Sequence, residues 1–272
     1  MKRPCVLVFA GVDPSGGAGI AADIEAIGAA GAHPLAVITA LTVQDNDRVQ
    51  GVHPVAPLLI RQQAQALIDK IPIAAIKIGI VANRANAELI AAIARKLRLM
   101  QPALPVVFDP VLGSGHGDAL SADDPVEAIA PLFAVATLAT PNLVEAARLC
   151  DGETDVDAQA AMLLARGCPN ILIKGSHALD GGQIVNRWYG PAKDERAIWQ
   201  WNRLPGAFHG SGCTLASAIA GRLAAGDTLP DALVAAQAYT HRTLESAYAI
   251  ADGQGIPERR IAFASRHQEH TA

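Results

Sequence analysis

An α/β fold built on a mostly parallel central sheet, covered by helices on both faces and extended by an added β-hairpin, is what the sequence predicts. Three observations carry the prediction. Short β-branched runs alternate with Ala-rich helical patterns along most of the 272 residues, the order that builds a parallel sheet. The strand-like runs are apolar throughout, as strands buried on both faces must be. One aromatic-rich segment breaks the alternation and reads as two strands around a polar turn.

In chain order, CVLVFA (5–10) opens the sheet and AGIAADIEAIGAA follows it as a small-residue amphipathic helix. LAVITAL (35–41) is the second strand, followed by the helical stretch PLLIRQQAQALIDKI. AAIKIG (74–79) precedes the helix NAELIAAIARKLRLM, and PVVFDPV (105–111), VATLAT (135–140) and NILIKG (170–175) complete the buried strands. From Ser176 to Leu204 the runs QIVNRWYG and RAIWQW flank PAKDE, which predicts an antiparallel hairpin. It holds all three tryptophans, Trp188, Trp199 and Trp201, and hydrophobic cover of a sheet edge accounts for them. One domain is expected over 1–250, with a polar, loosely held tail over 251–272.

Composition narrows the function classes. With 51% hydrophobic residues the chain can bury a large core. The net charge is −4, and the 22 Lys and Arg are scattered, so no patch is expected to neutralise a nucleic-acid backbone. Met1 to Ala10 has neither the apolar length nor the cleavage site of a signal peptide. No run is long enough to span a membrane. The four cysteines lack CxxC spacing, which points to a reducing cytoplasm without disulfides or structural zinc.

In a parallel sheet of this kind, ligands bind beyond the carboxyl ends of the strands. The loop after the first strand, GVDPSGGAGI, has Gly11, Gly16, Gly17 and Gly19 ahead of a helix N-terminus, where backbone can approach an anion closely. A P-loop reading fails because Gly17 and Ala18 stand where Lys and Ser/Thr are required. Gly17 to Ala22 fits a dinucleotide fingerprint by count, but Leu41-Thr42-Val43-Gln44 supplies no acidic partner at the second strand's end. A tight βα turn explains the glycines and leaves Asp13 and Asp23 unexplained.

Asp109 ends the fourth strand, either as a magnesium or substrate ligand or as the cap of a turn. Asn142 and Glu145 have capping-box spacing and would also face the Asp109 crevice. Lys174 ends the sixth strand, where it either pairs with phosphate or is merely solvated. The stretch HGSGCTLASAIAG (209–221) puts Gly210, Ser211 and Gly212 at a helix start, forming an anion hole. Cys213 then falls in the first helical turn. A helix N-terminus favours thiolate, so Cys213 suits a base in phosphoryl transfer; a small packing residue is the alternative.

Taken together and in order, GVDPSGGAGIAADI, ITALTVQD, IKIGI, VFDPV, ATPNLVEA, ILIKG and HGSGCTLASAIA resemble the hydroxymethylpyrimidine and phosphomethylpyrimidine kinases of thiamine biosynthesis, in the ribokinase superfamily. The resemblance covers nearly the whole chain. It implies a ribokinase-like three-layer α/β/α fold and ATP-dependent, Mg2+-assisted phosphorylation of 4-amino-5-hydroxymethyl-2-methylpyrimidine and then of its monophosphate. By the same resemblance Cys213 is the base and Gly210, Ser211 and Gly212 form the anion hole. Asp109 and Glu145 hold magnesium, while Asn142, Lys174 and Thr214 serve ATP. Gln44 hydrogen-bonds the aminopyrimidine, with Gly11, Asp23, Ile80 and Val111 near that pocket. A homodimer is implied.

Two departures stand out. Ile80 replaces the Met usual after IKIG, and Gly115-His116-Gly117-Asp118 replaces a loop in which relatives carry Lys or Thr. The second change bears on the second phosphorylation, unless His116 supplies the missing cation. A pyridoxal kinase of the same superfamily and a non-catalytic pyrimidine sensor are the alternative readings. The intact GSGC run speaks against a sensor, and the fingerprint's missing acid puts a dinucleotide oxidoreductase last.

Overall fold

The apolar runs lie side by side in parallel, and polar or aromatic strands close the two edges. The computed structural model describes residues 2–114, 116–118, 120–121, 123–175, 182–192 and 194–263. In chain order the elements are β1 (Cys5–Val12), α1 (Gly19–Ala29), β2 (His33–Gln44), β3 (Val49–Pro54), α2 (Pro57–Ile68), β4 (Ile73–Ile78), α3 (Arg84–Met100), β5 (Val106–Phe108) and α4 (Pro125–Phe133). They continue with β6 (Leu138–Ala139), α5 (Leu143–Leu149), α6 (Val156–Ala165), β7 (Ile171–Ile173), β8 (Gln183–Tyr189), β9 (Arg196–Asn202), α7 (Ser211–Ala224) and α8 (Leu229–Glu245).

Among the described residues the strands form a nine-stranded sheet in the order β3-β2-β1-β4-β5-β6-β7-β8-β9. The central strands β2, β1, β4, β5, β6 and β7 are parallel; β3, β8 and β9 pair antiparallel. The α/β expectation with an appended hairpin therefore holds. β8 and β9 pair from Gln183↔Asn202 to Tyr189↔Arg196. The first part of the expected hairpin segment, 176–181, lies outside the described residues.

Successive side chains of a strand face opposite sides, and β1 shows the consequence. Leu7 and Phe9 join one core with Ile60, Ile90 and Phe133 from α2, α3 and α4. Val6, Val8 and Ala10 join the other with Ile27, Ile219 and Leu233 from α1, α7 and α8. Each fully buried Val, Leu, Ile or Phe side chain among them contributes about 1.5–3 kcal/mol. Side-chain caps set several helix starts: Asn83 accepts from the Asn86 N–H at α3, and Thr228 from the Asp231 N–H at α8.

Three expectations need correction. β3 is absent from the sequence reading because VQGVHP is polar and only half-buried, an edge strand without an apolar stripe. The strands expected over 105–111 and 135–140 shrink to three and two residues; the apolar residues beyond them bury themselves in turns and loops. The tail is not loose up to Phe263. Ile256 and Arg259 are buried, the Tyr239 hydroxyl donates to the Arg259 carbonyl at 2.6 Å, and Phe263 stacks on Tyr239 with centroids 4.2 Å apart. Residues 264–272 lie outside the described residues.

Candidate active site

The chain runs β1, β2, β3 to one edge and then returns to place β4 on the other side of β1. Such a switch point opens a crevice at the strands' carboxyl ends, and here it is a cleft of about 460 Å³. Gly11, Gln44, Ile80, Asp109, Val111, Asn142, Glu145, Lys174, Gly210, Ser211, Gly212 and Cys213 all line it. Seven segments, far apart in sequence, thus bring together twelve of the residues singled out.

The DPSGG loop is shaped by Asp13. One carboxylate oxygen accepts from the Ser15 N–H and hydroxyl, both at 2.8 Å. The other accepts from the Ala18 N–H at 2.7 Å and lies 2.8 Å from His209 Nε2. Burial works to raise the Asp13 carboxyl, but His209, Ser15 and Ala18 together hold it below the usual carboxylate range. Gly17 has no side chain because the His209 ring and Ile256 occupy that space.

Opposite this loop starts α7. Gly210 has φ +79°, and a Cβ there would overlap the Gly17 carbonyl. Only glycine meets both conditions. The N–H groups that follow have no intrahelical acceptor and open on the cleft at the positive end of the helix dipole. Gly212 is needed for a different reason: a Cβ would come 3.1 Å from Lys174 Nζ and 3.5 Å from Asp109 Oδ2.

At the cleft floor, Lys174 Nζ donates to Asp109 Oδ1 at 2.8 Å, and the Thr140 hydroxyl donates to the same oxygen at 2.8 Å. Burial opposes ionisation of both, yet each holds the other charged: the Asp109 carboxyl lies below its usual range and the Lys174 ammonium above its own. Asn142 and Glu145 form the expected capping box at α5. Burial, helped by Asp109 and opposed by Lys174, pushes the Glu145 carboxyl up to about 7.

The thiolate expected of Cys213 is not the resting form. Burial pushes the thiol up, and Asp23 and Asp109 add to the rise; Lys77 and the Gly19 N–H act against it. The helix N-terminus is outweighed by desolvation. Cys213 remains half-buried at the cleft wall.

Two residues expected at the pocket are elsewhere. Asp23 is fully buried behind α7, where it accepts from Lys77 Nζ at 2.7 Å and from the Ser217 hydroxyl at 2.6 Å. Thr214 is buried between Cys213 and Leu215, which line the cleft, without lining it itself, and its hydroxyl donates to the Gly210 carbonyl at 2.8 Å. Asp23 sits on the inward face of α1, and Thr214 points back along α7. Lys77, His209 and Arg259 are structural partners that the sequence reading missed. A lysine inside the apolar run AAIKIG was a usable signal, since a buried charge demands a partner.

The loop after Asp109 is tied across the cleft mouth. Arg48 Nη2 lies 2.5 Å from Asp118 Oδ1, and Asp118 Oδ2 accepts from the Val49 N–H at 3.0 Å. His116 lines the cleft with Nδ1 3.0 Å from the Asp47 carbonyl. Gly115 lies outside the described residues.

Among the described residues no cluster of three His, Cys, Asp or Glu side chains forms a preassembled metal cage, and no helix is long and apolar enough to cross a membrane. Asp109 and Glu145 nevertheless suit magnesium, which takes one or two carboxylates and completes its shell with water and substrate phosphates. The raised Glu145 carboxyl is what two buried acids facing a single lysine produce.

Residues 13–258 match the family model described as phosphomethylpyrimidine kinase. A hydroxymethylpyrimidine/phosphomethylpyrimidine kinase of Streptomyces coelicolor is 38% identical over 261 residues, covering 93% of each chain. The thiamine biosynthesis bifunctional protein ThiED of Geobacter sulfurreducens is 36% identical, covering 93% of this chain and 51% of its own length. Among solved structures, the Bacillus subtilis pyridoxal kinase in complex with ADP superposes with a TM-score of 0.83 at 26% identity, covering 95% of this chain and 98% of that one.

Proposed function

The chain belongs to the phosphomethylpyrimidine kinase family, and on that premise we propose that it transfers the γ-phosphoryl group of ATP to 4-amino-5-hydroxymethyl-2-methylpyrimidine and then to the monophosphate, in thiamine biosynthesis. The observation that carries the reading is the cleft itself. The GSGC start of α7 and the Asp109–Lys174 pair line one cleft.

Transfer forms a bond from the acceptor oxygen to the γ-phosphorus and breaks the bond to the bridging β-oxygen. ADP leaves, and the hydroxyl proton must be removed. The N–H groups of residues 211–213 meet charge developing on the transferring group, a preorganised stabilisation worth several kcal/mol. Lys174, held charged, pairs with the phosphates. Cys213 takes the proton in its thiolate form, which Lys77 and the Gly19 N–H favour against burial. Asp109 and Glu145 would hold magnesium, which neutralises phosphate charge when bound.

Gln44 at the end of β2 offers amide groups to the aminopyrimidine edge, with Ile80 and Val111 against its ring. Ile184, Leu204 and Leu244, which also line the cleft, supply apolar surface for a nucleotide base. A homodimer fits β2, which leaves Leu41 and Val43 exposed on one face. Four free cysteines support a cytoplasmic site.

The test is ADP release by the purified protein with hydroxymethylpyrimidine, its monophosphate and pyridoxal offered separately. Turnover of both pyrimidines is expected. Turnover of pyridoxal alone would move the protein to the activity named for its Bacillus neighbour.

A further inference from the structure

Arg259 is the largest of the fully buried side chains, and it belongs to the C-terminal segment that reads from sequence as solvated. A guanidinium stays charged, so its burial calls for an account. Nε donates to Thr214 Oγ1 at 2.7 Å. Nη2 donates to the Gly17 carbonyl and lies 3.4 Å from the His209 carbonyl. Nη1 reaches Glu25 at 3.4 Å, a carboxylate more than a third exposed.

Most of the compensation therefore comes from backbone carbonyls and one hydroxyl, the carbonyls from the two loops that frame the cleft and the hydroxyl from the first turn of α7. Thr214 relays the contact onward by donating to the Gly210 carbonyl. One carbonyl from each loop, Gly17 and His209, faces the guanidinium, an arrangement that repels unless donors lie between them. With the fork in place, the carbonyls turn inward to Arg259 and the N–H groups of the α7 start and of Gly19 turn towards the cleft.

We infer that Arg259 is a positioning residue for phosphoryl transfer: its buried fork holds the DPSGG loop and the start of α7 at the spacing that the anion hole and the Cys213 sulfur require. The inference rests on the kinase reading for its chemistry. The geometry can be tested without turnover, through the Cys213 sulfur that the Gly19 N–H faces.

The experiment compares wild type, Arg259→Lys and Phe263→Ala in three readouts: steady-state kinetics with hydroxymethylpyrimidine and ATP, melting temperature, and the rate of Cys213 alkylation by iodoacetamide followed by peptide mass. Lysine keeps the charge and loses the fork. Arg259→Lys is expected to lower kcat by about tenfold or more with KM for the pyrimidine changed less than about threefold, and to change the alkylation rate by a similar factor. Phe263→Ala removes the stack on Tyr239 in the same segment; it should lower the melting temperature and leave kcat and alkylation near wild type below its transition. Should Arg259→Lys not fold, Thr214→Val, which removes the Nε acceptor together with the relayed bond to the Gly210 carbonyl, is expected to move the same readouts in the same direction. Wild-type kcat and alkylation in a folded Arg259→Lys would overturn the inference. So would a kcat loss matched by Phe263→Ala at equal loss of melting temperature. A wild type silent on every acceptor would strike the kinase reading, leaving unchanged alkylation in Arg259→Lys to overturn the positioning role.

Discussion

The Lys77 ammonium donates to the Asp23 carboxylate at 2.7 Å, and neither side chain touches solvent. Ser217, one turn beyond Cys213 on α7, donates to the same Asp23 oxygen. The pair thus anchors β4, α1 and α7 to one another immediately behind the cleft, and its positive member lies close enough to Cys213 to favour the thiolate.

Breaking such a pair leaves an uncompensated charge in the core. Lys77→Met is expected to destabilise the protein by about 3–5 kcal/mol, and Lys77→Met with Asp23→Leu by clearly less. Urea unfolding of both variants checks the difference. Equal destabilisation would remove the charge argument.

Cys213 supplies the pH prediction. Burial raises the thiol, so at neutral pH only a small fraction is thiolate, and kcat should rise with pH through a value above the ordinary cysteine range. Cys213→Ala should lower kcat by about 10²–10⁴ and abolish that rise. Cys213→Asp, already ionised at neutral pH, should show a flat profile there. A pH–rate series on the three proteins checks this, and a rise that persists in Cys213→Ala would assign it elsewhere.

Asp13 makes a prediction about stability. Its folded carboxyl lies below the unfolded value of about 3.9, so the stabilisation is present above that pH and is lost as pH falls through the folded value. Asp13→Asn should be less stable at neutral pH, and its stability should change less on acidification. Melting temperatures between pH 7 and about 3 measure both slopes; parallel slopes would contradict the assignment.

His116 is expected to distinguish the two half-reactions. It is the titratable group of the loop after Asp109 that lines the cleft. His116→Ala is expected to slow the second phosphorylation severalfold more than the first. Unchanged rates in both would exclude a phosphate contact.

Much of this site was legible in the sequence because its signals are local. Apolar runs mark strands, and glycines before a helix mark a turn that lines the cleft. Asn142 and Glu145 at a capping-box interval mark a helix start. What was not legible depends on pairing across the fold. Asp23 belongs to a motif that borders the pocket, yet its side chain turns inward because Lys77 needs it. Arg259 lies in a charged stretch whose solvated reading is reasonable, and only the carbonyls of Gly17 and His209 explain its burial. The Cys213 thiol depends on enclosure, which no interval of residues encodes.

Phosphorus-31 NMR of the protein with ATP, Mg2+ and hydroxymethylpyrimidine tests the central claim most directly. The account predicts a phosphomonoester resonance appearing as γ-phosphate disappears, followed by a pyrimidine diphosphate. ATP loss that yields only inorganic phosphate, or no loss at all, would contradict it.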